Sequence, residues 1–379
     1  MPQSWTIKYS TPAPSCSHLS PSSVQTLVPM KTAHLSTRAH AHIISSALIA
    51  ISLGILAILE FGTLPLRNAI CRSMYPEHAT GTAYTGELAP YVNASSLISY
   101  FLAIRDRRTI SPSIIPGQIL HQSWKSQDVP PVYHSLMTSW RSAYSNWTYV
   151  LWDNDDNRAL VEAFYPEWLS AYDALPSEIY RADFTRNLYM HTFGGIYADL
   201  DSEAISPLGA LIKAHRLADP PTAFLGTMKT SSHDLHGIPN AFMASSGPGH
   251  PLWLVAAQDA VDWSRARSWD RSAPVPGPEY VSGPVSLRRS IMNYSPSILE
   301  LLATGASNAD STGEPIAPVV LFSPEVIYPF TWDRPRPNIL TATQECVCWM
   351  AMSTFNPGVC KRMTGAQRVI NYWKHSWQS

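Results

Sequence analysis

From Ile114 onward, apolar positions change period at regular intervals. Short apolar runs predict strands over Gln118 to Trp124 and Thr148 to Trp152, and helical spacing predicts helices over Val132 to Tyr144 and Asp155 to Phe164. After Pro176 comes a longer helical pattern, in which Ile179, Ala182, Phe184, Leu188, Tyr189 and Phe193 fall on one buried face. It stops at Gly194-Gly195, a common helix C-terminal signal, and a short buried strand, Ile196 to Ala198, follows. Strands and helices in alternation imply an α/β fold with a mainly parallel central sheet. Ligands in such sheets sit beyond the carboxyl ends of the strands, where Trp152-Asp153 and Asp199-Leu200-Asp201 both fall.

The first third reads differently. Residues 1–41 hold Lys8, Lys31 and Arg38 but no acid, and are rich in Ser, Thr, Pro and His, which predicts a disordered tail. An uncharged run of seventeen residues, Ile43 to Leu59, comes next, and Phe61 and Leu64 extend it past Glu60. We expect a signal-anchor transmembrane helix over 42–64, against the alternatives of a buried core helix or a cleaved signal. Residues 65–111 read as a stem and 112–379 as the catalytic domain. Pro251-Leu252-Trp253 opens a further helix, while Gly226 to Gly237 and Ser264 to Gly283 read as loops.

With 45% hydrophobic residues, the chain can build one large domain plus appendages. A net charge of −1 gives no reason to expect a nucleic-acid partner. Three Asn-x-Ser/Thr triplets, at Asn93, Asn146 and Asn293, lie after the hydrophobic run. Cys71, Cys346, Cys348 and Cys360 lie on the same side and are available for disulfides, with Cys346 or Cys348 to Cys360 expected.

Asp199 and Asp201 carry the clearest chemistry. At the end of a strand, residues two apart project to one side, so both carboxylates can reach one hard divalent cation. Mg²⁺ or Mn²⁺ held by one or two carboxylates keeps positions open for phosphate oxygens. The bland alternative is a cap for a helix near Pro207, or a solvated turn. Asp183 and Arg186, three apart, share a helix face, as a surface ion pair also would. His233 and His236 lack the carboxylates a second metal site would need.

Six blocks in order, IPGQILHQSWKS (115–126), SNWTYVLWDNDD (145–156), LPSEIYRADFTRNLYMHTFGGIYADLDSEAISPL (175–208), NAFMASSGPGHPLW (240–253), SGPVSL (282–287) and HSW (375–377), resemble glycosyltransferase family 32. That family, with its sugar-binding D-x-D region, includes fungal Golgi mannosyltransferases. The spacing of Asp183, Arg186, Tyr197, Asp199 and Asp201 is also similar to that of the clostridial glucosylating toxins. The resemblance implies a GT-A-type nucleotide-sugar fold. It implies that Asp183 and Arg186 contact donor sugar and phosphate, Asp199 the ribose and metal, and Asp201 the metal. It further places Trp124, Tyr197, Ser376 and Trp377 on the donor, and Asn240 and His250 on the acceptor side. Asp183, Arg186 and Asp201 are the catalytic candidates.

The expected activity is retaining, Mn²⁺- or Mg²⁺-dependent mannosyl transfer from GDP-mannose to a glycolipid (inositol phosphorylceramide) or N-glycan acceptor. The expected setting is a type II protein of the Golgi membrane with its catalytic domain in the lumen. Galactosyl transfer from UDP-galactose, a catalytically inactive sugar binder and a phosphohydrolase are the competing readings.

Overall fold

The computed structural model describes residues 45–46, 48–55, 64–74, 86–108, 114–214, 219–228, 234–269, 274–294, 317–331, 346–363, 365 and 367–374. The chain divides into two units, Met1–Ile51 and Ser52–Ser379. In the first, the described residues are helical and exposed; in the second, residues 52–55 are helical. No helix of the described residues is long and apolar enough to cross a membrane, and much of 42–64 lies outside them.

The second unit is built on a six-stranded sheet in the order β2-β1-β3-β6-β5-β7. Its strands are β1 (Ile119–Ser123), β2 (Thr148–Trp152), β3 (Gly195–Ala198), β5 (Ala223–Gly226), β6 (Phe242–Ser245) and β7 (Val319–Phe322). β1 pairs parallel with β2 and with β3, and β5 pairs parallel with β7. Only β6 runs the other way, antiparallel to both β3 and β5. Among the described residues between β5 and β6 there is no crossover helix, and a return of that kind gives an antiparallel pair.

Both faces of this sheet are buried, and the period of two sorts the side chains between them. Tyr149, Leu151, Ile196, Ala198, Phe242 and Ala244 enter one core with Trp140 of α3 (His134–Ala143). Val150, Trp152, Tyr197 and Met243 enter the other. There they meet α4 (Asn154–Phe164), α5 (Glu178–Thr192), α6 (Pro251–Trp269) and α7 (Pro284–Tyr294), with Leu252 and Trp253 of α6 fully buried. Helix α6 runs on through Ser264, so the loop expected from that residue starts later. Helix α2 (Ala94–Arg105) places Leu97, Ile98 and Phe101 in the same core, with the Phe101 ring 4.8 Å from Phe193. Part of the expected stem is therefore folded domain.

The glycine pair after α5 does two jobs. Gly194, at φ 67°, ends the helix with its N–H on the Met190 carbonyl. Gly195, at φ 95°, brings β3 against β1: a Cβ there would lie 2.0 Å from the Ile119 carbonyl oxygen.

A second, two-stranded ribbon pairs β4 (Ser202–Ala204) with β8 (Val369–Asn371), so the C-terminal segment lies beside the Asp199 to Asp201 turn. Two disulfides fasten this region. Cys348 joins Cys360 within the described stretch 346–363, as expected, and Cys346 joins Cys71 of α1 (Leu64–Met74).

Candidate active site

Helix α5 carries Asp183 and Arg186 inward, not to solvent. Their side chains are 9% and 6% exposed, and Arg186 Nη2 lies 2.9 Å from Asp183 Oδ1. Arg186 Nη1 lies 3.2 Å from Asp199 Oδ1 and donates to the Asn240 carbonyl at 3.0 Å. The guanidinium also sits 4.6 Å from the centre of the Tyr197 ring. One planar fork thus joins α5, the turn after β3 and the approach to β6. Burial opposes its charge, and Tyr197, Asp199 and Asp183 more than offset this, holding its pKa above the usual value. The surface ion pair that the spacing alone allowed is not what forms.

Asp183 Oδ1 also accepts from Asn240 Nδ2 at 3.0 Å. Burial raises its pKa to about 6, against the opposing pull of Arg186.

Asp199 and Asp201 lie beyond the end of β3, in the turn that leads into β4. The alternation that put them on one side of a strand therefore does not apply; the turn does that work, closed by the Ser202 N–H on the Asp199 carbonyl at 3.1 Å. Asp199 Oδ1 accepts from the Tyr197 hydroxyl at 2.6 Å. Asp201 is held by the C-terminal segment: Oδ2 accepts from the Lys374 N–H at 2.7 Å and Oδ1 from Asn371 Nδ2 at 3.3 Å. Burial and the charge of Asp199 raise its pKa to about 7.

Two carboxylates with this excess of negative potential suit a divalent cation, and Asp199 Oδ2 carries no hydrogen bond among the described residues. No group of three or more His, Cys, Asp or Glu there could hold a metal. A cation at this turn would rest on Asp199 and Asp201 and leave positions for substrate oxygens.

These groups open into a cleft of about 830 Å³ at the carboxyl ends of β1 and β3. At one end Trp124 and Tyr133 stand with ring centres 5.2 Å apart, and Trp124 Nε1 is buried without a partner. Ser123 links this end to the centre through its hydroxyl, 3.3 Å from that of Tyr197. Trp349 and Trp373 line the cleft from the C-terminal side. Trp373 is held at φ 47° with its N–H on Asn371 Oδ1 and its indole N–H on the Phe330 carbonyl. That left-handed conformation costs a non-glycine residue about 1–3 kcal/mol, a cost typical of functional sites.

The structure therefore gathers Trp124, Asp183, Arg186, Tyr197, Asp199, Asp201 and Asn240 around one cleft. His250 is not among them. It is buried behind β6, its Nε2 3.0 Å from the Pro318 carbonyl and its Nδ1 accepting from the Leu252 N–H. The acceptor-side place expected for His250 is corrected: it supports the fold. Ser376, Trp377 and His233 lie outside the described residues. Trp349 and Trp373 are lining residues that the sequence did not reveal; Trp373 stands just before the HSW block at 375–377 that was singled out.

Residues 130–218, which hold α3, α5 and the Asp199 to Asp201 turn, match the family model described as "Glycosyltransferase sugar-binding region containing DXD motif". Over that stretch the chain is similar to a glycosyltransferase sugar-binding region. It is 31% identical over 142 residues to Inositol phosphoceramide mannosyltransferase 3 of Schizosaccharomyces pombe, covering 38% of this chain and 36% of that protein. It is 32% identical over 143 residues to Mannosyl phosphorylinositol ceramide synthase CSH1 of Saccharomyces cerevisiae, covering 38% and 34%. To the Initiation-specific alpha-1,6-mannosyltransferase of the same yeast it is 29% identical over 162 residues, 41% and 34%. The matches thus span about a third of these relatives' own length. Among solved structures, the PaToxG Glycosyltransferase aligns over 58% of this chain and 88% of its own, at 14% identity and a TM-score of 0.34, too slight a likeness to bear on the fold.

Proposed function

We propose that this protein is a metal-dependent glycosyltransferase that moves mannose from GDP-mannose, with retention of configuration, to a glycolipid headgroup or an N-glycan. The observation that carries the reading is the buried Arg186 fork, which holds Asp183 and the Asp199 carboxylate together at the edge of a cleft large enough for a nucleotide sugar. A cation on Asp199 and Asp201 would supply Lewis-acid stabilisation of the diphosphate. The chain's own groups do the rest. Arg186 offsets negative charge that grows on the leaving diphosphate, in a site where burial strengthens the interaction. Asp183 accepts hydroxyls of the donor sugar, and Trp124 with Tyr133 offers an aromatic wall to the base.

The balance of the step is simple. The bond from the anomeric carbon to the diphosphate oxygen breaks, and a bond from that carbon to the acceptor oxygen forms on the same face. The acceptor proton passes to the departing diphosphate. Among the described carboxylates of the cleft, those held by Arg186, Asn371 and the Lys374 N–H are already engaged, which favours attack on the front face over a covalent glycosyl intermediate.

Relatives named for transfer to inositol phosphoceramide support a sphingolipid headgroup as acceptor, and those named for initiation-specific α-1,6-mannosyl transfer support a glycan. The setting we propose is the Golgi lumen, with a type II anchor over 42–64. Two disulfides suit an oxidising compartment, and Leu48, Ile49, Ile51 and Leu53 are each more than half exposed, as suits an apolar surrounding. Incubation of the purified protein with GDP-mannose, UDP-galactose or UDP-glucose, with Mn²⁺ or with chelator, tests the reaction. Release of GDP from GDP-mannose that depends on the metal is expected; preference for a UDP-sugar would transfer the reading to the galactosyl alternative, and inertness toward all three would overturn it.

A further inference from the structure

The cleft wall can be followed as a chain of contacts. It starts at Trp124 and Tyr133, passes through Ser123 to the Tyr197 hydroxyl, and then to Asp199 and Arg186. From Arg186 it reaches Asp183 and Asn240. Beyond Asp183 lies the short helix Pro278–Val281, whose Glu279 also faces the cleft. If the base sits at the aromatic end and the diphosphate at Asp199 and Asp201, the transferred sugar falls at Arg186 and Asp183. What lies past Asp183 is then where an acceptor enters.

Five carboxylates line this cleft among the described residues: Glu178, Asp183, Asp199, Asp201 and Glu279. Glu178 is paired with Arg181. Asp183 and Asp199 are paired with Arg186, and Asp201 accepts from Asn371 and the Lys374 N–H. Glu279 alone has no hydrogen-bond or ion-pair partner among the described residues. It is nonetheless held in place. The Pro278 carbonyl accepts from both the Ser282 and the Gly283 N–H, and the Tyr180 hydroxyl donates to the Pro276 carbonyl at 2.7 Å. Arg289 Nη2 donates to the Tyr280 carbonyl at 3.2 Å. The fit against Asp183 is tight: a Cβ on Gly283 would lie 2.9 Å from Asp183 Oδ2 and 2.8 Å from Glu279 Cα. Beside Glu279, the Ser282 hydroxyl is buried and unpartnered, and in the centre of the cleft so is Arg186 Nε. A half-buried carboxylate on a fixed main chain, near enough to Asp183 for the two charges to repel, is unfavourable for stability, so its setting points to a ligand that supplies donors.

We propose that Glu279 is the acceptor-positioning residue, whose carboxylate accepts hydrogen bonds from the hydroxyls of a polyhydroxylated ring, either a lipid-borne inositol or a terminal sugar. This rests on the function proposed above. It orients the ring so that one further hydroxyl faces the anomeric carbon, while the transferred proton still goes to the departing diphosphate. Glu279 also adds negative charge beside Asp183, which disfavours an anionic group docking at this point of the wall and directs the ring's hydroxyls, not its phosphate, toward it.

The test compares wild type, Glu279→Gln and Glu279→Ala as the full chain, with GDP-mannose as donor. Three measurements are made: hydrolysis of the donor by water, GDP binding by calorimetry, and transfer to methyl α-D-mannopyranoside or to myo-inositol 1-phosphate. We expect donor hydrolysis and GDP affinity within about twofold of wild type in both variants, and an acceptor KM raised about tenfold or more, as for loss of a charge-assisted hydrogen bond. The arm in which wild type is active tells the glycan source from the lipid-headgroup source. An unchanged acceptor KM in Glu279→Ala would overturn the proposal, and so would an equal fall in hydrolysis and transfer, which would put Glu279 on the donor or the fold. Failure of the wild type to bind GDP or to hydrolyse any donor would instead sink the underlying function, and is read without any variant.

Discussion

At the scale of single residues, Arg186 decides more than any other. Its fork meets two carboxylates and a carbonyl on three separate segments, and a lysine ammonium can satisfy only part of that set. Arg186→Lys should therefore cost about 3 kcal/mol of stability, since partners stay buried without their donor, and should remove most transfer activity. Urea denaturation and turnover measured on the same preparation check both parts; a variant with normal turnover would leave Arg186 a structural ion pair only. The sequence made Asp183, Arg186, Asp199 and Asp201 visible because their types and spacing are chemical. It could not show that Asn240 fastens Asp183, or that Glu279 is left unpaired. Those facts depend on segments more than fifty residues away in the chain.

At the scale of elements, β1 brings one buried histidine into the aromatic core. His121 donates from Nε2 to the Gly194 carbonyl at 3.0 Å and accepts at Nδ1 from the Trp152 indole N–H at 3.1 Å, with Tyr189 stacked 5.4 Å away. Both nitrogens are used by the neutral ring, and burial lowers its pKa to about 3. The ordinary value is 6.5, so the unfolded chain binds this proton first. The stability that His121 contributes is complete above about pH 6.5 and is lost as pH falls toward 3. Burial also lowers His191 and His250, each to about 4, and they act in the same direction. Asp183 and Asp201, whose pKa values are raised, act in the opposite one. The difference between wild type and His121→Phe isolates the first effect. The variant should be less stable at pH 7, because two hydrogen bonds are broken, and between pH 6 and 4 the gap should narrow by about 1.4 kcal/mol per unit. A gap that does not change with pH would mean that His121 is protonated in the fold.

The early elements were readable because their periods are distinct: the expected Thr148 to Trp152 strand is β2, and the long helix before the glycine pair is α5. Strands β5, β6 and β7 were not readable. Each is a four-residue apolar run, AFLG, FMAS and VVLF, that periodicity alone cannot tell from part of a helix. The ribbon of β4 with β8 was hidden for another reason, since it joins residues far apart in sequence.

At the scale of the whole molecule, the C-terminal segment covers the turn that bears Asp199 and Asp201, held there by the β4–β8 ribbon and by hydrogen bonds to Trp349 and Met350, beside the Cys348–Cys360 bridge. Cys348→Ser should lower the unfolding free energy by about 3 kcal/mol, the value for a loop of this order of length, and should weaken nucleotide binding because Trp349 and Trp373 lose their fixed setting. Denaturant melts of the two proteins check the first expectation and calorimetry with GDP the second; equal GDP affinity would release the C-terminal segment from any part in donor binding. Topology has its own test. Asn146 is exposed in the turn between α3 and β2, so a luminal domain should carry a glycan there, and Asn146→Gln should reduce the gel shift caused by an N-glycosidase.

The central claim is that Asp201 and Asp199 anchor a metal on a nucleotide diphosphate in this cleft. Calorimetric titration of GDP into wild type and Asp201→Asn, each with Mn²⁺ and with chelator, tests it most directly. Asn keeps the size of the side chain and one acceptor oxygen for the Lys374 N–H, and gives up only the longer contact with Asn371 Nδ2, so the fold should persist and melting temperature should fall only slightly. The account predicts that Mn²⁺ tightens GDP binding to wild type by about tenfold or more and leaves the variant's weak binding unaltered, as follows from losing half of the protein charge at the cation. Mn²⁺-dependent GDP binding of equal strength in both proteins would contradict it.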